Sequence, residues 1–258
     1  MRLTHSYYRW LKRVLLVFTI SIVAVFFCRP VMAANIAAFG DSITEGVGSS
    51  NGGYPPKLLF LLNKYVDGNH GVDNHGKGGE ATAWGNGRIH AVLGSKKYHY
   101  VLILEGTNDI YFGLSLESTR YYLEAMVQKS KNLFHTTPLI ALLTPDAREE
   151  SLANQKHIET TYNPLIANIA NKFHVPLVNL YNAVAGNWNA LSDDQLHPND
   201  VGYQIVANTW FHPLKVLIDE EQRRREEEEE DGEDSGDGGG GGGCFIDTIF
   251  QNHDDVKP

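Results

Sequence analysis

The stretch "AAFGDSITEGVGSS", residues 37–50, decides how the rest of the chain is read. Small apolar residues run as far as Phe39, break at Gly40, and deliver an acid and a hydroxyl, Asp41 and Ser42, side by side. A short apolar run that ends on glycine reads as a buried strand entering a turn. The serine there has two readings. It is a common helix N-cap, and Glu45 three residues on completes a capping-box pattern. It also stands where a nucleophile would stand, at the tip of a strand. A phosphate loop is a poorer fit, because no Gly-Lys-Ser/Thr follows the glycines at 40, 46 and 48. Taken alone, the stretch favours the cap; a nucleophile needs a base and an oxyanion site elsewhere in the chain.

With 258 residues the chain is long enough for one sizeable α/β domain and appendages. Both ends differ from the middle. Residues 1–33 contain basic residues, no acid, and an apolar run of about 15 residues before the small-residue site Val31-Met32-Ala33, the pattern of a secretory signal cleaved after Ala33. The run is shorter than the ~20 apolar residues a bilayer span needs. Strand-like residues begin directly after Ala34, which leaves no tether for an anchor. Cys28 follows two phenylalanines rather than small residues, so a lipoprotein signal is not expected. Export to the periplasm or the exterior is therefore expected, with Cys244 the one cysteine left and no internal disulfide.

From Asp219 the composition turns acidic and then to polyglycine. This tail holds 15 acids and 4 basic residues against a net charge of −9 for the whole chain, which leaves residues 1–218 at +2. The acidity belongs to the tail and says little about a substrate. Residues 219–243 read as a solvated, disordered linker, helical at first where Glu220 and Glu221 can pair with Arg224 and Arg225. Residues 244–258 open with "CFIDTIF", which looks like the Gly-rich C-terminal CFI segments of some bacterial proteins. Cys244 is thus a candidate for surface attachment, against the simpler reading of a flexible end. Nothing in the chain is basic enough for nucleic acid.

Between residues 34 and 218, apolar runs alternate with longer periodic segments, as in a parallel sheet flanked by helices. The runs are Ile36–Phe39, Gly71–Asn74, Tyr100–Leu104, Leu139–Leu143 and Leu177–Tyr181. Helical spacing appears in "YPPKLLFLLNKYV", in "SLESTRYYLEAMVQKSKNLF" with Ser115 and Ser118 as caps, in "NQKHIETTYNPLIANIANKF" with a bend expected at Pro164, and in "NDVGYQIVANTWF", which Pro213 should divide from a last short helix. Open parallel sheets bind ligands at the carboxyl ends of their strands. Four loops should meet there, carrying Gly40-Asp41-Ser42, "DNHGKGGEAT", "EGTNDI" and "SDDQLHPNDVGY". Among eleven histidines His197 is the strongest base, since Asp194 precedes it by three residues and Pro198 holds its backbone extended. His75 is a weaker rival with no acid at matching spacing.

"GDS", "NHGKGGE", "GTND" and "DQLHP", in that order, resemble the four blocks of the SGNH, or GDSL, hydrolases over about residues 35–212. The resemblance implies a flavodoxin-like three-layer α/β/α sandwich with a five-stranded parallel sheet. It implies Ser42 as nucleophile, Asp194 and His197 as its triad partners, and an oxyanion hole from the Ser42 N–H, Gly79 and Asn108, with Gly78 the alternative to Gly79. It also implies a serine esterase acting through an acyl-enzyme, most like the lysophospholipase, thioesterase and arylesterase branch, without cofactor or metal. The alternatives are a carbohydrate O-deacetylase and a non-catalytic surface-binding module. The substrate would be a small-molecule, lipid or carbohydrate ester. Asp41 and Asp109 are expected to tie loops together, and no role is assigned to Glu80 or Glu105.

Overall fold

Strands buried on both faces read as continuous apolar runs, because helices cover the sheet from either side. The centre of the sheet has this character: β1 (Asn35–Gly40) is buried in all but its first residue and β3 (Tyr100–Leu104) throughout. The computed structural model describes residues 32–149 and 152–234. In it, β2 (Gly71–Gly76), β4 (Thr137–Ala141) and β5 (Leu177–Val178) join these two in one sheet of order β2-β1-β3-β4-β5. Every neighbouring pair is parallel. This is the flavodoxin-like order, with its reversal between β1 and β3.

Two helix groups pack on the sheet. Tyr54, at the start of helix Tyr54–Tyr65, stacks on Trp210 of the closing helix at 6.1 Å, and Tyr65 meets Phe211 at 6.0 Å. Helix Thr82–Gly94 packs on Leu116–Gln128, which packs on Asn163–Phe173. Trp210, Tyr54, Phe39 and Leu102 are among the largest side chains wholly withdrawn from water.

Several boundaries differ from the sequence pattern. Strand β5 stops at Val178, because Asn179 caps a new helix, Leu180–Val184, by accepting the Asn182 N–H at 3.0 Å. Pro164 stands in the first turn of Asn163–Phe173, directly after a π-helical turn, Ile158–Tyr162, and the backbone keeps helical angles through the junction. Pro213 lies inside the helix Asp200–Asp234 rather than dividing it. The proline removes one ladder bond, and the burial of Trp210, Leu214 and Ile218 around it holds the helix together. The sheet-bearing unit ends at Gln222; from Arg223 the chain is a second unit, helical as far as Asp234, where the sequence pointed to a linker helical only at its start. The expected signal before Met32, the polyglycine run and Cys244 lie outside the described residues.

Strand β2 ends against the first helix, Ser42–Glu45. A Cβ on Gly76 would stand 1.9 Å from the Glu45 nitrogen and 2.4 Å from its Cα, both backbone atoms that cannot swing aside. Gly76→Ala should therefore cost the 1–3 kcal/mol typical of overpacking, roughly 2–12 °C in melting temperature for a domain of this size. Gly87→Ala, in helix Thr82–Gly94 with no neighbour within 4 Å, should leave melting unchanged or raise it. Calorimetry on the two variants checks the contrast.

Candidate active site

The carboxyl ends of β1, β2 and β3 and the loop before the closing helix converge on one edge of the sheet. At the tip of β1 the cap is Asp41, not Ser42: the Asp41 carboxylate accepts the Ile43 N–H at 2.9 Å, and Ser42 is the first helical residue. The difference matters chemically. A capping serine would spend its oxygen on the backbone, whereas here the Ser42 Oγ lies 2.9 Å from His197 Nε2.

Behind it, His197 Nδ1 lies 2.6 Å from Asp194 Oδ2. The other oxygen of Asp194 accepts the N–H groups of Leu196 at 2.9 Å and His197 at 2.7 Å, so the loop folds around its own acid. Burial works to raise the Asp194 carboxyl, but the bonds from the His197 ring and from these two N–H groups outweigh it and hold the carboxyl down at about 2. It is ionised at any pH near neutrality. With Nδ1–H given to this carboxylate, Nε2 keeps its lone pair for the serine hydroxyl.

The loop also has external anchors. Gln195 adopts a φ of +64°, and its carbonyl accepts the Ala147 N–H at 2.9 Å and the Trp188 indole N–H at 3.0 Å. Ser192 bridges Pro198. On the nucleophile's side, Tyr203 donates its hydroxyl to the Val47 carbonyl at 2.7 Å, and Asp200 accepts the hydroxyls of Ser49 and Ser50. Gly48 presses on this joint: a Cβ there would be 2.8 Å from the Pro198 carbonyl oxygen.

Gly79, at a φ of +72°, is the third residue of a turn closed by the Glu80 N–H on the Lys77 carbonyl at 3.1 Å, a conformation that favours glycine. No atom would meet a Cβ on it within 4 Å, so it borders open space. Gly78, the alternative, faces the Glu45 carboxylate instead. Asn108 is the second residue of a short helix, Thr107–Tyr111, that follows β3, and its amide donates to the Glu80 carbonyl at 2.9 Å. Its second contact, with Asp41 Oδ2, is long at 3.5 Å, which leaves an N–H for a stronger acceptor. The chain thus brings Ser42, His197 and Asp194 into one hydrogen-bonded line, with Asn108 and Gly79 held on the loops after β3 and β2. His75 is not part of it: its Nε2 bonds the Tyr98 hydroxyl at 2.8 Å.

Under these residues lie four buried acids. Asp109 accepts the Thr82 N–H at 2.9 Å and the Thr119 hydroxyl at 2.8 Å, tying two helices to the strand end. Glu80 pairs with Arg88, both of its oxygens 3.0 Å from Nε. Burial pushes the Asp41 carboxyl up to about 7, with the charges of Glu80 and Asp109 adding to the effect and the Ile43 N–H opposing it. Glu105 is raised well above the usual range, by burial first and then by Asp41 and Glu80. Beside Asn108 the surface is aromatic: Trp84 lies 5.6 Å from Phe112 and Phe112 lies 5.3 Å from Tyr111, all three exposed. No sequence argument singled out these rings; "NDIYF", with two aromatics directly after the Asn108 block, is the signal that could have done so. Among the described residues no cluster of three His, Cys, Asp or Glu side chains could hold a metal ion.

Residues 38–205 match the model of the GDSL-like Lipase/Acylhydrolase family. No curated protein matches the chain significantly. Solved structures with the same fold include Axe2, an acetylxylan esterase from Geobacillus stearothermophilus, at 19% identity and a TM-score of 0.61, covering 70% of this chain and 94% of that one. The psychrotrophic esterase EstA from Pseudoalteromonas sp. matches at 20% identity and a TM-score of 0.60, over 72% and 98% of the two chains. LAE5, an alpha/beta hydrolase enzyme from the metagenome of Lake Arreo, matches at 21% identity and 0.59, over 69% and 94%. The fold is shared with these proteins, and the family match spans most of the sheet-bearing unit. The chain belongs to the GDSL-like Lipase/Acylhydrolase family and is, with it, a carboxylic-ester hydrolase.

Proposed function

We propose that the protein is an exported serine esterase in which Ser42 is the nucleophile, His197 the general base and acid, and Asp194 the group that orients and stabilises the imidazolium. The observation that carries this reading is the line of hydrogen bonds Asp194–His197–Ser42, 2.6 and 2.9 Å in its two links. The Ser42 Oγ attacks the ester carbonyl as His197 Nε2 takes its proton; the carbonyl oxygen becomes the oxyanion, met by the N–H groups of Ser42 and Gly79 and by the Asn108 amide. Collapse breaks the C–O bond, with His197 returning the proton to the leaving alcohol. Water, deprotonated by the same imidazole, then releases the acid and restores the serine. Export is proposed from the leader pattern of residues 1–33.

The rings of Trp84, Tyr111 and Phe112 beside Asn108 support a substrate with an acyl or alcohol part that covers apolar surface, as in the lysophospholipase, thioesterase and arylesterase group. O-deacetylation of a carbohydrate is the second reading. It is favoured by the exposure of the Trp84 ring, a face on which a sugar could lie, and by the likeness to Axe2, an acetylxylan esterase. Attachment of the protein to a surface through Cys244 has no support in the fold or in the comparisons and is not proposed.

Ser42→Ala and His197→Ala should each lower kcat by at least about 10⁴-fold. Asp194→Asn should leave more residual rate than His197→Ala, and Asn108→Ala should cost about 10²–10³-fold. Unchanged circular dichroism separates these effects from unfolding; a His197→Ala enzyme of normal activity would overturn the assignment of the base.

Substrate class follows from two assays on the same preparation. Rates on p-nitrophenyl esters from acetate to laurate should peak at a short or medium chain and persist in a chelator, since the proposed roles use protein groups only. Acetate release from acetylated xylo-oligosaccharides faster than any aryl ester turnover would decide for the deacetylase reading. Loss of activity in chelator with recovery on zinc would refute the mechanism.

A further inference from the structure

Glu105 follows the last residue of β3, before Gly106 and the helix Thr107–Tyr111, and it is 1% exposed. Neither of its carboxyl oxygens has a hydrogen-bond donor among the described residues. Its neighbours make this unusual. A Cβ built on Gly85 would lie 3.2 Å from Glu105 Oε1 and 3.4 Å from Glu80 Oε1, so the two carboxyl groups face the same small gap, which a side chain at 85 would tighten. The charged and titratable groups around them come from every adjoining element: Asp41 at the end of β1, Glu80 on the loop after β2, Arg88 on the following helix, and Asp109 after β3. Asp109 is filled by Thr82 and Thr119, and Asp41 accepts the Ile43 N–H. Among the hydrogen bonds and ion pairs of the described residues, Arg88 is the one cation that meets any of the four acids, and it is bound to Glu80.

Two ionised carboxylates cannot bond to each other, since both only accept. One proton between them converts a repulsion into a short, charge-assisted hydrogen bond. We infer that Glu105 is a positioning residue that stays protonated at the working pH and donates its O–H to the Glu80 carboxylate, and that this bond, with Arg88 on the far side, fixes the loop whose carbonyl anchors Asn108. Burial and the neighbouring acids hold the proton on Glu105, and the Arg88 guanidinium is bound to Glu80. The consequence reaches the site in one step, because the Glu80 carbonyl accepts the Asn108 amide at 2.9 Å and Glu80 directly follows Gly79. Two of the three donors proposed for the oxyanion, the Asn108 amide and the Gly79 N–H, thus hang on one neutral acid. The positioning role rests on the acyl-transfer reading above; the protonation itself does not.

Infrared difference spectra of the full chain at pH 8, with Glu105→Gln as the reference, should show a protonated-carboxyl stretch in the wild type that the variant lacks. No such band, or a band that survives in E105Q, overturns the inference. In kinetics E105Q should keep kcat within about two-fold, because its amide N–H replaces the O–H donor. Glu105→Leu should lose roughly ten- to a hundred-fold in kcat at little-changed KM, the scale of a small misplacement of catalytic donors. An E105L enzyme of wild-type kcat, or an E105Q enzyme as impaired as E105L, refutes the positioning role. If E105L does not fold, the infrared band and E105Q decide alone. A folded-state proton that the unfolded chain releases makes stability fall as pH rises above the ordinary glutamate range, so melting temperature between pH 5 and pH 8 should decline less in E105Q than in the wild type; an equal decline counts against the inference. An inactive wild type, with the band present, would sink the esterase reading and leave the protonated Glu105 standing.

Discussion

The site depends on one long-range contact: the hydrogen bond between Ser42 and His197, which joins residues 155 positions apart in sequence. Neither partner lies in the core, so each must be aimed by its own loop, and the two loops must be locked to each other. The Asp194–His197 loop is closed internally on the Asp194 carboxylate and externally on Gln195, and the stretch after Ser42 is fastened through Val47 and the serines at 49 and 50 to Tyr203 and Asp200, on the helix that directly follows that loop. The 2.9 Å contact at the hydroxyl is thereby supported by several bonds of ordinary strength, each about 1 kcal/mol net. Pro198 adds a backbone that cannot collapse into a helix before the closing segment begins.

Sheet topology explains why these loops can meet at all. Strands β1 and β3 are neighbours at the point where the order reverses, so the chain leaves their carboxyl ends towards different helix groups and opens a crevice between them. Ser42 stands at one lip, Asn108 at the other, and the turn of Gly79 comes from β2 alongside. The first helix is a single turn, Ser42–Glu45, so little macrodipole is available; what the backbone contributes is the individual N–H of Ser42 rather than a summed field.

How much of this the sequence reveals varies with burial. Strands β1 and β3 are uniformly apolar because both of their faces are covered, and their boundaries are legible almost to the residue. Strand β2 is an edge: "GVDNHG" is nowhere fully buried and has no period to detect, yet it pairs with β1 over six residues. Strand β5 fails in the opposite sense, its apolar run continuing past the point where Asn179 diverts the chain into a helix. At the site, the four blocks that resemble the family point to Ser42, Asp194, His197 and Asn108, which the fold brings to one edge of the sheet, but the capping box misassigns the cap, since Asp41 and Ser42 both have the right chemistry and only tertiary contact with His197 decides which oxygen is spent locally. Glu80 and Glu105 are opaque for a related reason. Acidic side chains read as solvent-facing, and their burial depends on Arg88 and on the gap left by Gly85, neither of which lies near both of them in sequence.

Four buried carboxyl groups beneath Ser42 are a poor way to stabilise a protein. Two like charges ~6 Å apart in an effective dielectric of ~20 repel by about 3 kcal/mol, and each buried acid also loses its hydration. The arrangement divides that burden unequally. Asp109 is filled by neutral donors, Glu80 is paired with a guanidinium, Asp41 accepts a backbone N–H, and Glu105 is left to hold its proton. Each of these solutions also fixes a different piece of the site: Asp109 the helices behind Asn108, Glu80 the carbonyl beneath the Asn108 amide, Asp41 the turn that presents Ser42. Apolar residues in the same places would pack with less cost and would supply none of these directional bonds. Stability given up beneath the crevice is thus converted into the positioning of donors that acyl transfer requires.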